Sequence, residues 1–247
     1  MNHKQLACAL VTAGLALGSG AASASTTWNL NTSTTVPAMS AWYNLNDGKL
    51  GSGAVTKWDG GVGVQHLGAD GKAGGSNGNA DETLSAPEHA MDTNGRFESL
   101  LLNFGPQEVK LDKVSIGWVQ TDSDFFLLAY TGATPFSGSL ANNTYANLLS
   151  SGWSLVGNYA NGASTGTYNT GASVYSSFWL IGAGAISASG VTNGDGRHDY
   201  IKIASVAGVT KIPPPPPPPG VPEPGSLALA GLGLLGLVAT RRRWKSA

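Results

Sequence analysis

The segment Lys113-Val114-Ser115-Ile116-Gly117-Trp118-Val119-Gln120 decides the fold class, because its apolar and polar residues alternate. A period of two places Val114, Ile116 and Trp118 on one face of an extended strand. Other short apolar runs surround this segment, and Gly, Asn, Asp or Pro separates them. These further candidate strands are residues 97–104, 124–131, 152–159, 177–181 and 199–204.

This pattern predicts an all-β protein, with a single jelly-roll-like β-sandwich over residues 25–212. Glycine accounts for 35 of the 247 residues, a share that suits turns and strands better than helical bundles. A short helix is expected within residues 143–151, where Leu148 and Leu149 precede Gly152.

Charge and cysteine content exclude several classes of function. Charged residues make up 12% of the chain, and 14 basic residues nearly balance 15 acidic ones. The chain therefore lacks the basic field that a nucleic-acid partner requires. Between residues 25 and 220 there are 9 basic and 14 acidic residues, so this part is mildly acidic. Because Cys8 is the only cysteine, we expect neither a disulfide nor a thiolate metal site in the β domain.

Residues 1–24 have the three parts of a secretory signal peptide. Lys4 supplies a basic start, residues 6–17 form an apolar run, and Ala22-Ser23-Ala24 is a small-x-small cleavage site. We expect signal peptidase to cut after Ala24, so that the mature chain begins at Ser25.

The C-terminal residues form a second three-part segment. A linker at residues 213–220 begins with seven consecutive prolines, which favour an extended polyproline helix. Residues 221–247 then contain the motif Val221-Pro222-Glu223-Pro224, an uncharged stretch at 226–240, and Arg241, Arg242 and Arg243. The uncharged stretch is just long enough for a marginal membrane helix, and the arginines would keep its end in the cytoplasm. A plain single-span anchor is the alternative interpretation.

This tail resembles the PEP-CTERM sorting signal of Gram-negative bacteria. In that family an exosortase, an intramembrane cysteine protease-transpeptidase, recognises the Pro-Glu-Pro motif, the short helix and the basic tail. The resemblance implies an inner-membrane precursor that is cut near Pro222-Glu223-Pro224. The domain would then pass to the cell surface or to the extracellular matrix of a biofilm. Residues 88–159 also resemble short exosortase-dependent surface proteins, which implies the same location but no substrate.

Oxygen-bearing side chains mark two candidate calcium sites. The first consists of Asp92, Asn94, Asp122 and Asp124, near the ends of candidate strands, with Glu88 close in sequence. Carboxylate and amide oxygens are the hard ligands that calcium prefers. The second is residues 193–199, which match part of a calcium loop but have Val191 where the first ligand belongs. The alternative for both is that Asp and Asn side chains close turns by bonding the backbone.

Six tryptophans lie in the β domain, and their faces suit the rings of a polysaccharide. Trp118 and Trp179 belong to strongly apolar strands, so we expect both to be buried. The tryptophans beside polar turns are the candidates for ligand contact: Trp28, Trp42, Trp58 and Trp153.

The remaining question is whether the chain is an enzyme. The coexistence of His66, His89 and His198 with many serines, and the pair Asp122 and Asp124, leave a secreted glycan-processing hydrolase as the alternative. The chain contains no His-Glu-x-x-His zinc helix, and no cysteine follows Cys8 to act as a thiol nucleophile. We therefore expect an exported, non-catalytic surface or matrix protein that binds polysaccharide, with no catalytic residue and no cofactor other than calcium.

Overall fold

The computed structural model describes residues 24–33, 35–67, 87, 89–160, 162–213 and 231–233. The chain divides into two units, Met1–Lys211 and Ile212–Ala247. In the second unit, residues 231–233 are helical. The predicted signal peptide, proline linker, sorting motif, membrane helix and basic tail lie outside the described residues, apart from residues 24, 213 and 231–233. Among the described residues, no helix has the length and apolar character needed to cross a bilayer.

The regular structure in the described part of the first unit consists of strands and one short helix, so the predicted all-β class is confirmed. The elements are β1 (Ser25–Asn29), β2 (Ala38–Asn44), β3 (Leu50–Trp58), β4 (Gly61–Gln65), β5 (Met91–Asp92), β6 (Glu98–Asn103), β7 (Val109–Thr121), β8 (Phe125–Tyr130), α1 (Tyr145–Leu148), β9 (Trp153–Tyr159), β10 (Gly166–Asn169), β11 (Phe178–Ala183), β12 (Ala185–Ser187), β13 (Gly190–Thr192) and β14 (Asp199–Thr210).

Twelve of these strands form one curled antiparallel sheet, in the order β10-β7-β14-β4-β3-β2-β6-β11-β8-β9, with β1 and β5 also paired to β14. Strands β12 and β13 form a separate hairpin. The expected jelly-roll sandwich of two separate sheets is not confirmed, because β3 joins the two parts. Its residues 50–53 pair with β2, and its residues 54–58 pair with β4. At the change of partner, a side chain on Gly53 would lie 2.7 Å from the carbonyl oxygen of Gln65.

The interior of the curl holds the main hydrophobic core. Leu100, Leu127 and Ile181 from the central strands meet Ile203 of β14 there. The opposite face of the same central strands is buried in a second core, where Leu101 and other residues pack under α1 and the β12–β13 hairpin. Burial on both faces explains why β6, β8 and β11 are continuous apolar runs rather than alternating ones.

The predicted short helix is present as a single turn, α1. The Asn147 amide donates to the Thr144 hydroxyl, and the Thr144 amide donates to the Asn147 side chain, which together form a capping box. Tyr145 and Leu148 point into the second core.

The first and last strands of the domain pair with each other. Ser25 lies opposite Val209, and the pairing continues to Asn29 opposite Ser205. Ser25, the predicted first residue of the mature chain, is therefore already held in the sheet.

The turn between β3 and β4 lies directly against β7. A side chain on Gly117 would overlap the carbonyl oxygen of Gly60, and one on Gly60 would lie 2.6 Å from Cβ of Trp118. Glycine at these positions allows the two backbones to approach, and this contact brings Trp58 near Trp118.

Replacing Gly117 with alanine should lower the free energy of unfolding by about 1–3 kcal/mol, because the new methyl group must displace the Gly60 backbone. Gly194→Ala is the matched control, since its added Cβ would lie 4.0 Å from Cβ of Ala185. Urea unfolding followed by tryptophan fluorescence measures both variants. Equal midpoints for the two would show that the close approach is not required.

Candidate functional site

Three buried carboxylates meet where β7 ends and β14 begins. Oxygens of Asp122, Asp124 and Asp199 all lie within 4.8 Å of one another, and these residues are only 1%, 9% and 1% exposed. We call these three residues the acidic cluster. Asp122 and Asp124 come from the turn that joins β7 to β8, and Asp199 is the first residue of β14. Asp199 Oδ1 accepts a hydrogen bond of 2.7 Å from the Asp124 amide.

The acidic cluster joins parts of the two calcium sites that the sequence suggested separately. Asp122 and Asp124 belong to the first candidate, and Asp199 ends the loop that was the second. The Asp195 carboxylate of that loop lies within hydrogen-bonding reach of the Asp122 carboxyl. Val191, at the position of the missing first ligand, is buried in the second core. The structure therefore places Asp122 beside the loop, which neither pattern revealed alone.

Asp92 and Asn94, the other two residues of the first candidate calcium site, have a different local role. Asp92 Oδ1 accepts a hydrogen bond of 2.8 Å from the Asn94 amide, which closes a turn. Asp92 is not among the carboxylates that meet in the acidic cluster. Thr93 between them contacts Asp199 instead, because the Asp199 amide donates to the Thr93 hydroxyl at 2.9 Å.

Burial beside other acids raises the proton affinity of two members of the acidic cluster, Asp199 and Asp122. Burial raises the pKa of Asp199 to about 7, and repulsion from Asp124 and Asp122 adds to this rise, although the Asp124 amide opposes it. Burial also raises the pKa of Asp122. The Arg197 amide, by contrast, lowers the pKa of Asp195. Either protons or a cation must therefore compensate the charge of the acidic cluster near neutral pH.

The backbone at the acidic cluster is unusual. Thr121, directly before Asp122, has a φ of 68°, a left-handed conformation that a β-branched residue rarely adopts.

The acidic cluster offers the closely spaced hard oxygens that calcium prefers. A calcium ion here would be held by Asp122, Asp124 and Asp199, with Asp195 at the edge. Calcium at this position stays a prediction.

A cleft of about 630 Å³ lies on the outer face of β14, near the β3–β4 turn. We call it the Trp58 cleft. Its lining residues are Asn31, Lys57, Trp58, Asp59, His89, Trp118 and Lys202. The volume lies within the range of about 300–1,000 Å³ that small-ligand sites occupy.

Stacked rings and a lysine form the floor of the Trp58 cleft. Trp58 stacks on His89 with 4.4 Å between ring centroids, and His89 meets Trp118 edge-on at 6.5 Å. Lys202 lies directly opposite Trp118 in the β7–β14 ladder, and its Nζ is 4.6 Å from the centre of the Trp118 ring. Burial, with the Lys202 charge as a second cause, lowers the pKa of His89, so this ring is neutral at pH 7.

The structure divides the tryptophans into buried and exposed ones differently from the prediction made from the sequence. Trp179 is buried as expected, but Trp118 is only half-buried and lines the Trp58 cleft. Among the candidates for ligand contact, Trp42 and Trp153 are buried in the second core. Trp28 packs against Phe104 at 4.9 Å between ring centroids. Trp58 is the candidate that stays exposed, at 38%.

A second cleft, of about 650 Å³, lies beside the end of β14. Tyr175 is an exposed aromatic ring in its lining. The lysine of this cleft, Lys211, forms an ion pair with Glu108. Its cation is therefore already neutralised, unlike Lys202 in the Trp58 cleft, which has no carboxylate within ion-pair distance among the described residues.

Calcium should stabilise the folded chain, because it binds oxygens that come together only after folding. By linkage, calcium at one hundred times its dissociation constant raises the free energy of unfolding by about 2.7 kcal/mol. We expect the melting temperature in millimolar calcium to exceed that in chelator, and Asp199→Asn to abolish the difference. Asp47→Asn, at an exposed acid paired with Lys49, is the control that keeps it. Identical melting in calcium and in chelator would exclude the site.

In chelator, the stability of the protein should fall as the pH rises from about 4 to above 7. A carboxyl whose pKa is raised on folding stabilises the fold fully below its unfolded pKa, and this contribution is lost as the pH passes the folded pKa, about 7 for Asp199. We expect the free energy of unfolding to fall by at least about 1 kcal/mol over this pH range. In Asp199→Asn most of this pH dependence should be absent. The measurement is chemical unfolding at a series of pH values, and a flat profile for the unaltered chain would contradict the raised pKa.

The comparisons with known proteins concern the C-terminal residues. A family model described as the PEP-CTERM protein-sorting motif matches residues 220–243. This range includes Val221, Pro222, Glu223 and Pro224 and the three arginines at 241–243. No curated protein matches the chain significantly. The chain therefore carries the PEP-CTERM protein-sorting motif that marks exosortase-sorted proteins.

Proposed function

We propose that this protein is a non-catalytic polysaccharide-binding protein of the cell surface or extracellular matrix. An exosortase sorts it there after export. The observation that carries the proposal is the PEP-CTERM motif at residues 220–243, which supports an exported, exosortase-sorted protein. The precursor is held in the inner membrane by residues 226–240 until the exosortase cuts near Pro222-Glu223-Pro224.

The two ends of the β domain support this sequence of events. Strand β1 starts at Ser25, directly after the predicted signal peptidase site at Ala24, and β14 ends at Thr210, before the proline linker. Cleavage after Ala24 and near Pro222-Glu223-Pro224 would remove no residue from the sheet. The processed domain would therefore keep its fold after release.

The surroundings of two histidines and of the acidic pair favour a binding role over hydrolysis. His198 Nδ1 lies 3.2 Å from the Thr93 carbonyl oxygen and 3.2 Å from the side-chain nitrogen Nδ2 of Asn193. His89 is stacked under Trp58, and its Nδ1 has no hydrogen-bond partner in the described part of the chain. Asp122 and Asp124 are too deeply buried to flank a glycosidic bond in a polysaccharide.

Replacing Pro222, Glu223 and Pro224 with alanine should leave the precursor in the inner membrane and abolish its release. The predicted membrane helix and arginines are unchanged in this variant, whereas the motif that an exosortase reads is lost. The matched control replaces three prolines of the linker, Pro215, Pro216 and Pro217, and should be released normally.

Fractionation of a host that contains the exosortase measures the result. Mass spectrometry of the released form should find a chain that begins at Ser25 and ends near the motif. Equal release of the motif variant and the unaltered chain would show that the tail is a plain anchor or linker and would overturn the sorting proposal.

A further inference from the structure

We propose that the Trp58 cleft binds an acidic polysaccharide, with a sugar ring stacked on Trp58 and a carboxylate of the same chain held by Lys202 and Lys57. This inference rests on the polysaccharide binding proposed above. It adds the place of binding and the chemical class of the ligand.

Trp58 supplies the stacking surface. His89 covers one face of its ring, and 38% of the residue stays exposed. The backbone of Trp58 is also fixed, because its carbonyl oxygen accepts a hydrogen bond of 2.8 Å from Asn31 Nδ2. An indole ring held rigidly in a cleft can cover the apolar face of a pyranose without losing rotamer entropy on binding.

Lys202 supplies a buried positive charge. The residue is only 3% exposed, and its Nζ lies against Trp118. The described residues provide one hydrogen-bond acceptor for this ammonium group, the Asp59 carbonyl oxygen at 3.4 Å. Because an ammonium group has three donors and no carboxylate in the described part of the chain lies within ion-pair distance of this one, an anionic ligand would satisfy both its charge and its remaining donors.

Lys57 extends the positive charge to the edge of the cleft. It is exposed, and its Nζ donates to the Ser33 carbonyl oxygen at 2.8 Å rather than to a carboxylate. Asp59 is the one acid among the described lining residues, so these residues carry an excess of one positive charge. This sign is opposite to that of residues 25–220 as a whole, where acids outnumber bases. At physiological salt the local charges dominate, since screening acts over about 8 Å.

A third polar group in the floor is unsatisfied. His89 is 6% exposed, and its buried Nδ1 has no hydrogen-bond partner among the described residues. Sugar hydroxyls, which both donate and accept, suit a cleft that combines such a group with the Asp59 carboxylate and Asn31.

The test is calorimetric titration of the full chain, in mild detergent and chelator, with two probes of equal length. One is the hexasaccharide of galacturonic acid, and the other is cellohexaose, which is neutral. We expect the acidic probe to bind more tightly, and its affinity to fall as salt rises from 0.05 to 0.5 M. Trp58→Ala should weaken its binding by about tenfold or more, and Lys57→Met and Lys202→Met should reduce the preference for the acidic probe.

Tyr175→Ala is the matched control, because it removes an exposed aromatic ring from the second cleft, and it should bind normally. Trp58 and Lys57 are exposed, so their variants test the site even if Lys202→Met does not fold. If the acidic probe binds but Trp58→Ala and Lys57→Met leave its affinity unchanged, the site is wrong and polysaccharide binding stands. Equal affinity for the two probes overturns the acidic class. If the unaltered chain binds neither probe, the proposed polysaccharide binding fails together with this inference.

Discussion

The pairing of β14 with β7 is the interaction on which both candidate sites depend. This ladder runs from Asp199 opposite Thr121 to Thr210 opposite Val109, and β14 also pairs with β1, β4 and β5. Ile203 of β14 points into the main core, whereas Lys202 lies on the outer face against Trp118. A slip of one residue would exchange these faces, placing an ammonium group in the core and removing the lysine from the cleft.

The same ladder separates two charges of opposite sign. Asp199 and Lys202 are three residues apart on β14, and side chains an odd number of residues apart on a strand point to opposite faces. The acidic cluster and the Trp58 cleft therefore lie on opposite faces of β14. A polyanion that binds in the cleft therefore does not have to approach the buried carboxylates directly. The acidic cluster destabilises the fold unless protons or a cation compensate it, whereas the cleft presents the Lys202 ammonium group, for which the described residues offer no carboxylate within ion-pair distance.

The two ends of the β domain lie together in the sheet. Because β1 pairs with the last residues of β14, the domain is closed by its own first and last strands. Sorting information lies beyond Thr210, in residues that the sheet does not contain. Substitutions in the sorting motif therefore need not affect the folding of the domain, and substitutions in the sheet leave the motif unchanged.

The sequence by itself determined the features that neighbouring residues encode. The sorting motif is contiguous, the alternation around Ile116 predicts a strand, and the short helix follows from local signals. The pairing of Asp122 with Asp199, and of Trp118 with Lys202, required the tertiary structure. These partners are far apart in the chain, and their contact depends on the register and bulges of β7 against β14, which periodicity does not specify. For the same reason Trp118, in an apolar strand, was expected in the core. The register shift of β7 at Gly117 places Trp118 opposite Lys202 on the outer face, and the approach of the Gly60 turn makes it part of a cleft.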